Sequence, residues 1–299
     1  MCGIVGLLVK TPELRPKLGE WMLPMLIGMT ERGPDSAGLA VYTAPTAVER
    51  RKLSLHDTSG TLDWRAFAND AVAVLGPDAT VAVRANHAVI ESAASPARVK
   101  QWVRAAFPQL VVLSAGRRID LYKDVGLPAE VVARYGLADV AGTHLVGHTR
   151  MATESAVTPE NAHPYTAGED WCVVHNGSLS NPYQIRRRLE PLGIRFDGDC
   201  DTEAACRYLE WRMREGDDLE AAIHRGFEAF DGFYTFLMGT EDKLAIVRDA
   251  FACKPAVVAE TDHYVAIASE FRSLAKLPDI RAATLFEPKP EEIYSWRVQ

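Results

Sequence analysis

Met1-Cys2-Gly3-Ile4-Val5-Gly6 is the stretch whose reading decides the rest. Cysteine is small, so Met1 is the kind of initiator residue that processing removes. What remains is one residue carrying both a thiol and a free α-amine. An α-amine has a pKa near ~7.7–8.0, so a usable fraction is unprotonated at neutral pH. It can take the thiol's proton directly or through one water, the N-terminal-amine form of an activated nucleophile. The run from Gly3 to Val9 reads as a buried strand, a rigid mount whose glycines leave room for a close approach to the backbone. Taken alone, a cysteine near a terminus is usually just a small apolar residue, so the case depends on what the rest of the chain supplies. The start does not read as a secretory or lipoprotein signal: there is no basic region, no adequate apolar run and no spacer before the cysteine.

Composition narrows the function classes. At 299 residues with 47% hydrophobic content, the chain can bury a real core in one large or two small domains. No apolar run reaches the ~18 residues a membrane helix needs, so no membrane role is expected. The net charge, 33 − 40 = −7, argues against nucleic acid as the main partner. Cys2, Cys172, Cys200, Cys206 and Cys253 are odd in number and scattered, with no CxxC pair. That spacing argues against a disulfide framework, a zinc site or an iron–sulfur cluster, and for a reducing cytoplasm.

The pattern along the chain predicts α+β elements. Pro16 to Arg32 reads as a helix with Leu18, Trp21, Met22, Met25, Leu26 and Met29 on one broad face. A turn, Arg32-Gly33-Pro34-Asp35-Ser36-Ala37-Gly38, leads into the strand Leu39–Tyr42. From about 43 to 142 the signals change: a strand over Ala79–Ile90, a helix over Pro96–Phe107, two short strands, and a helix over Pro128–Tyr135. This stretch reads as a small α+β insertion without a chemical constellation, and Arg84 and His87 in it read as surface residues. From Leu145 on, strands and grouped helices alternate in blocks, which favours layers over repeated βαβ units. Asp201 reads as the N-cap of a helix.

Three polar clusters follow the insertion, each with a plain reading and a chemical one. Arg150, after Gly147-His148-Thr149, can tie down carbonyls or clamp a carboxylate in its planar fork. Asn176-Gly177 ends a strand at a tight turn, or offers a side-chain amide and a backbone N–H as an oxyanion hole. Asp201 can cap a helix or hold an ammonium. Together with a thiolate at Cys2 they describe one ligand, an α-amino acid with a side-chain amide: glutamine or asparagine.

With those residues in view, the chain resembles the class II glutamine amidotransferases, whose N-terminal-nucleophile domain begins Met-Cys-Gly-Ile-Val-Gly. The match extends in order through Arg32 to Gly38, Gly147-His148-Thr149-Arg150, Asn161-Ala162-His163-Pro164, His175-Asn176-Gly177, Cys200-Asp201-Thr202-Glu203, Arg248-Asp249, Ala268-Ser269-Glu270 and Pro290-Glu291-Glu292-Ile293. The resemblance implies one domain over 1–299 with an insertion at about 43–142, in a four-layer αββα fold with two stacked antiparallel sheets. It implies Cys2 as nucleophile, Asn176 and Gly177 as oxyanion hole, Arg150 for the glutamine α-carboxylate and Asp201 for the α-amino group. Thr153 is expected to contact the ligand and Arg32 to support the site. Met151 stands where related proteins often carry an aromatic, and Glu154 where some carry His.

The sequence offers no place for a second chemistry. There is no Gly-rich phosphate loop, flavin-type region or cluster cysteines, so no cofactor is expected. Ammonia released in water is protonated and loses its nucleophilicity. The expectation is therefore a hetero-oligomer with a separate synthase subunit. The chain looks similar to the amidotransferase subunit of split glutamate-synthase-like systems, N-methylglutamate synthase among them. A catalytically silent subunit with Met1 retained, and an amidohydrolase acting on other amides, are the competing readings.

Overall fold

The computed structural model describes residues 2–152 and 157–298; Thr153 and Glu154 lie outside them. In chain order the elements are β1 (Gly3–Val9), α1 (Leu18–Ile27), β2 (Ser36–Tyr42), β3 (Arg51–Asp57), α2 (Trp64–Leu75), β4 (Thr80–Arg84), β5 (His87–Ser92), α3 (Pro96–Ala106), β6 (Leu110–Gly116), β7 (Ile119–Val125), α4 (Pro128–Tyr135) and β8 (His144–Arg150). They continue with β9 (Tyr165–Thr166), β10 (Cys172–Leu179), α5 (Pro182–Leu189), α6 (Asp201–Arg214), α7 (Leu219–Ala229), β11 (Gly232–Gly239), β12 (Lys243–Arg248), β13 (Val257–Glu260), β14 (Tyr264–Ala268), β15 (Thr284–Phe286) and β16 (Tyr294–Arg297).

The described strands form three antiparallel sheets: seven strands in the order β15-β13-β14-β1-β8-β2-β7, five in the order β16-β12-β11-β10-β9, and four in the order β4-β5-β3-β6. The first two stack face to face. Side chains alternate across a strand, and β1 shows the consequence. Ile4 and Leu8 enter the core between the sheets with Val174, Leu237 and Ile246. Val5, Leu7 and Val9 face the opposite way, onto Met22, Met25 and Leu26 of α1. Between Ile4 and Leu8, Gly6 admits Leu237, whose Cδ2 would stand 2.9 Å from an added Cβ. On the far side of the five-stranded sheet, α5, α6 and α7 pack on Val173, Phe236 and Val247. The result is the expected αββα order, with β1 buried on both faces.

The helix expected over Pro16–Arg32 is shorter. A 3-10 turn over Pro12–Lys17 precedes α1, which ends at Ile27 before Gly28. Pro16 and Pro24 each remove a backbone donor, which limits the ladder on both sides. The strand expected over Ala79–Ile90 is a hairpin, β4 and β5, turning at Ala85 with φ 54°. Neither glycine nor proline marks that turn, so the sequence gives no break there. Near the end of the chain, Phe271–Ser273 forms a single 3-10 turn.

Residues 51–116 build the four-stranded sheet, which packs with α2 and α3 around Leu53, Phe67, Ile90 and Val99. β3 and α2 have no counterpart in the sequence reading. β7 then leaves this unit for the edge of the seven-stranded sheet. The joint between the two is polar. Lys52 pairs with Asp120 at 2.8 Å, and Ser54 Oγ accepts from Leu121 N at 2.9 Å. His87, expected at the surface, is only 1% exposed. It packs on His56 and Tyr135, because the hairpin turns its side chain toward α4. Arg84 is exposed, as expected, and donates to the Tyr135 and Gly136 carbonyls.

Candidate active site

Cys2 is half-buried at the head of β1, which is hydrogen-bonded between β14 and β8 in the middle of its sheet. Its position is held from behind. Arg32 Nε donates to the Cys2 carbonyl at 3.0 Å, and Arg32 Nη1 pairs with Glu270 at 2.9 Å. Arg32 is 8% exposed. Its hydrogen bond, with Arg272 adding to it, holds the Glu270 carboxyl below the usual carboxylate range.

The segment that Arg32 opens also fixes the end of β8. Gly33 lies against the Thr149 and Arg150 backbone so closely that a Cβ would collide with it. Asp35 N donates to the Arg150 carbonyl at 3.1 Å, and Asp35 Oδ2 accepts from Ala152 N at 2.8 Å. Arg150, the last residue of β8, is thereby placed at the rim of the seven-stranded sheet, beside the head of β1.

Asn176-Gly177 does not end its strand. β10 runs through to Leu179, and Gly177 stands opposite Tyr234 of β11. Gly177 has φ +146°, and a Cβ there would collide with the Phe233 carbonyl. The backbone needs glycine to continue the strand at that approach. β9 pairs only with Cys172 and Val173, so beyond them no strand among the described residues covers the outer edge of β10. Leu179 N–H uses that edge to donate to Asp201 Oδ2 at 2.9 Å. Backbone groups alternate sides along a strand, so Gly177 N–H lies on the same open edge. Next to it, Asn176 is 2% exposed and its Nδ2 is buried with no hydrogen-bond partner among the described residues. Such an orphaned donor is costly in a folded protein and is what a developing oxyanion requires.

Asp201 is the first residue of α6, and Cys200 is the N-cap. The expected capping bond is therefore displaced by one position. The carboxylate accepts from Leu179 N and, at 2.7 Å, from Thr202 N. Burial would raise its pKa, but the His175 ring and these two N–H groups outweigh burial and hold it well below the ordinary range.

A single cavity of about 1220 Å³ is lined by Cys2, Arg150, Met151, Gly177 and Asp201. Arg32 and Asn176 stand behind that lining rather than in it, and Thr153 lies outside the described residues. Lys123, His163, His175, Cys200 and Thr202 also line it. Of these, His163, His175, Cys200 and Thr202 belong to motifs visible in the sequence, but nothing in a one-dimensional pattern shows that they meet. Lys123 comes from β7 and had no motif. Burial lowers its pKa to about 8, and its Nζ donates to the Ala162 and Glu160 carbonyls at 2.7 and 3.1 Å. Among the described residues no His, Cys, Asp and Glu cluster is arranged to hold a metal ion, and no helix is long and apolar enough to cross a membrane.

A family profile described as "Glutamine amidotransferase domain" matches residues 148–276. The glutamine amidotransferase-like protein GlxB of Rhizobium meliloti (strain 1021) is 47% identical over 297 residues, covering 99% of this chain and 98% of that protein. A putative glutamine amidotransferase of Methanothermobacter thermautotrophicus is 32% identical, covering 98% of this chain and 99% of its own. Among solved structures, the glutamine phosphoribosylpyrophosphate amidotransferase of B. subtilis matches 99% of this chain with a TM-score of 0.61 at 19% identity, a likeness of fold. This chain spans 49% of that chain's length. Near-complete coverage by relatives at 47% and 32% identity, on an αββα frame with a cysteine heading its central strand, places the chain in the glutamine amidotransferase family.

Proposed function

We propose that the chain is a class II glutaminase whose leading residue, once Met1 is removed, is the nucleophile. The observation that carries this reading is the shared cavity: a thiol, a guanidinium, a strand-edge amide and a carboxylate converge on one space. Arg150 pairs with the α-carboxylate of glutamine and Asp201 with its α-ammonium, which aims the side-chain amide at Cys2. Thr153 adds a contact to the same ligand. The α-amine of Cys2 takes the thiol proton, and the sulfur bonds to the amide carbon. The resulting oxyanion rests on Asn176 Nδ2 and Gly177 N–H. The protonated amine then returns its proton to the leaving nitrogen, the C–N bond breaks, and ammonia departs from a thioester. Water, deprotonated by the same amine, attacks the thioester; the C–S bond breaks and glutamate is released.

The charge clamp gives a direct test. Arg150→Lys replaces a bidentate fork by a point charge. It is expected to raise KM for glutamine about tenfold or more while changing kcat less, the signature of lost ground-state binding. Hydrolysis of a simple amide without an α-carboxylate should not respond. Equal losses on both substrates would remove Arg150 from the binding role.

The reading extends to a partner. We take the chain as one amidotransferase domain with an insertion at about 43–142, working in the cytoplasm. Ammonia leaving the site is useful only if it reaches an acceptor before protonation, and the sequence carries no cofactor motif for that acceptor chemistry. A separate synthase subunit, of the glutamate-synthase-like or N-methylglutamate synthase type, would supply it, with the insertion as a docking surface. Co-expression with the products of neighbouring genes and measurement of the assembly's mass tests this. A chain that stays monomeric in their presence excludes the partner.

A further inference from the structure

At the floor of the cavity, two imidazoles and a carboxylate gather around one hydroxyl. Thr202 Oγ lies 2.9 Å from His163 Nε2, 3.0 Å from His175 Nδ1 and 3.2 Å from Asp201 Oδ1. Thr202, His163 and His175 are all buried. A hydroxyl has one proton and two lone pairs, and an ionised carboxylate only accepts. The Thr202 proton therefore goes to Asp201, and both lone pairs are left to accept. Each histidine has to donate: His163 from Nε2, His175 from Nδ1.

The opposite nitrogens agree with this count. His163 Nδ1 and His175 Nε2 are buried with no hydrogen-bond partner among the described residues. A bare lone pair is tolerable in such a position, whereas an unpaired N–H or a charge costs more. The third imidazole continues the pattern. His148 stacks on His163 with ring centres 4.1 Å apart. Its Nε2 lies 3.0 Å from the His175 carbonyl, so it donates there, and its Nδ1 is also buried and unpartnered. That carbonyl belongs to the peptide that carries Asn176 N–H.

We infer that Thr202, His163 and His175 are positioning residues: a neutral network with fixed tautomers that sets the plane of the Asp201 carboxylate, while His148 anchors the peptide leading into Asn176. One hydroxyl and one carbonyl thus tie the ammonium end of the site to its oxyanion end. His163 is brought to Thr202 by Lys123, which clamps the carbonyls of Glu160 and Ala162 just ahead of it. The surroundings keep His163 and His148 uncharged. Burial, then His148, His175, Lys123 and Arg150, push the His163 pKa well below its ordinary value, and burial lowers that of His148 to about 3.

The inference rests on Asp201 being the ammonium anchor, and its test separates the two claims. Histidine-selective 15N labelling, with His163→Gln and His175→Gln to assign the signals, reads the tautomers in the folded wild-type protein. The expected result at neutral pH is His163 protonated on Nε2, His175 on Nδ1, and neither ring charged. Thr202→Val, close in shape but without the hydroxyl, should raise KM for glutamine about tenfold with kcat changed less, since a hydrogen bond to a charged group is lost. Thr202→Ser should restore it. The opposite tautomers, or an unchanged KM in Thr202→Val, would overturn the network. Wild-type protein that neither binds nor hydrolyses glutamine would instead remove the anchor role of Asp201, and the positioning role with it, whatever the tautomers.

Discussion

Cys2→Ala is expected to lower glutaminase activity by about 10⁴-fold or more, the scale seen when the nucleophile of a covalent mechanism is removed. The loss should be in kcat and not in folding. Cys2 precedes β1, its side chain is half-buried, and the contact that secures it is the Arg32 bond to its carbonyl, which alanine keeps. The melting temperature should therefore stay close to wild type while glutamate release from glutamine vanishes. A second variant separates the thiol from the amine. A chain in which Met1 is kept, by placing a bulky residue after it and before Cys2, has the sulfur without the free α-amine. It should be as inactive as Cys2→Ala, because the thiol then lacks the base that activates it. Mass determination of the N-terminus on the same samples ties activity to processing. An unprocessed chain with full glutaminase activity would exclude the amine as base. A processed wild-type chain with no activity, alone or with the proposed synthase subunit, would favour the silent-subunit reading.

The fold and the site were legible to different degrees. Buried strands and amphipathic helices carry their periodicity in the chain, so β1, α3 and α4 lie within a residue of their expected places. The elements that escaped are those whose cause is tertiary. The β4–β5 hairpin turns through the exposed Ala85 at positive φ, a conformation that alanine does not announce. β3 and α2 stabilise each other across a local core of Leu53, Phe67 and Val99, a pairing invisible along one dimension. His87 looked like surface because strand alternation does not say which face a later helix will cover. The residues that meet in the candidate site, Cys2, Arg150, Gly177 and Asp201, stand out in the sequence because each belongs to a short motif. Their supports stand out less: Lys123 lies in an ordinary strand, and the meeting of Thr202 with two histidines joins residues 27 and 39 positions apart. Asn176-Gly177 shows the limit most clearly. The pair has the composition of a turn, yet β11 extends the strand past it, and this continuation is what leaves Gly177 N–H on an open edge.

Asn176 offers the sharpest separation of function from stability. Its Nδ2 is buried with no hydrogen-bond partner among the described residues, and an unsatisfied buried donor costs a fold about 1–3 kcal/mol. Nothing among the described residues offsets that cost. The repayment comes in the transition state, when the amide oxygen of the substrate acquires charge and the donor is already in place without reorganisation. Asn176→Ala should therefore lower kcat by about 10²–10³-fold, the range for loss of one oxyanion donor, with KM for glutamine nearly unchanged. Its melting temperature should stay level or rise, since the small cavity left by the side chain is set against the removal of an orphaned polar group. Steady-state kinetics and thermal unfolding on the same preparation decide the matter. A variant that loses stability and keeps its kcat would show that Asn176 holds β10 in place and takes no part in the chemistry. A variant that loses activity only through KM would assign the amide to glutamine binding in the ground state. Loss of kcat at undiminished stability is the outcome that only a preorganised oxyanion donor produces.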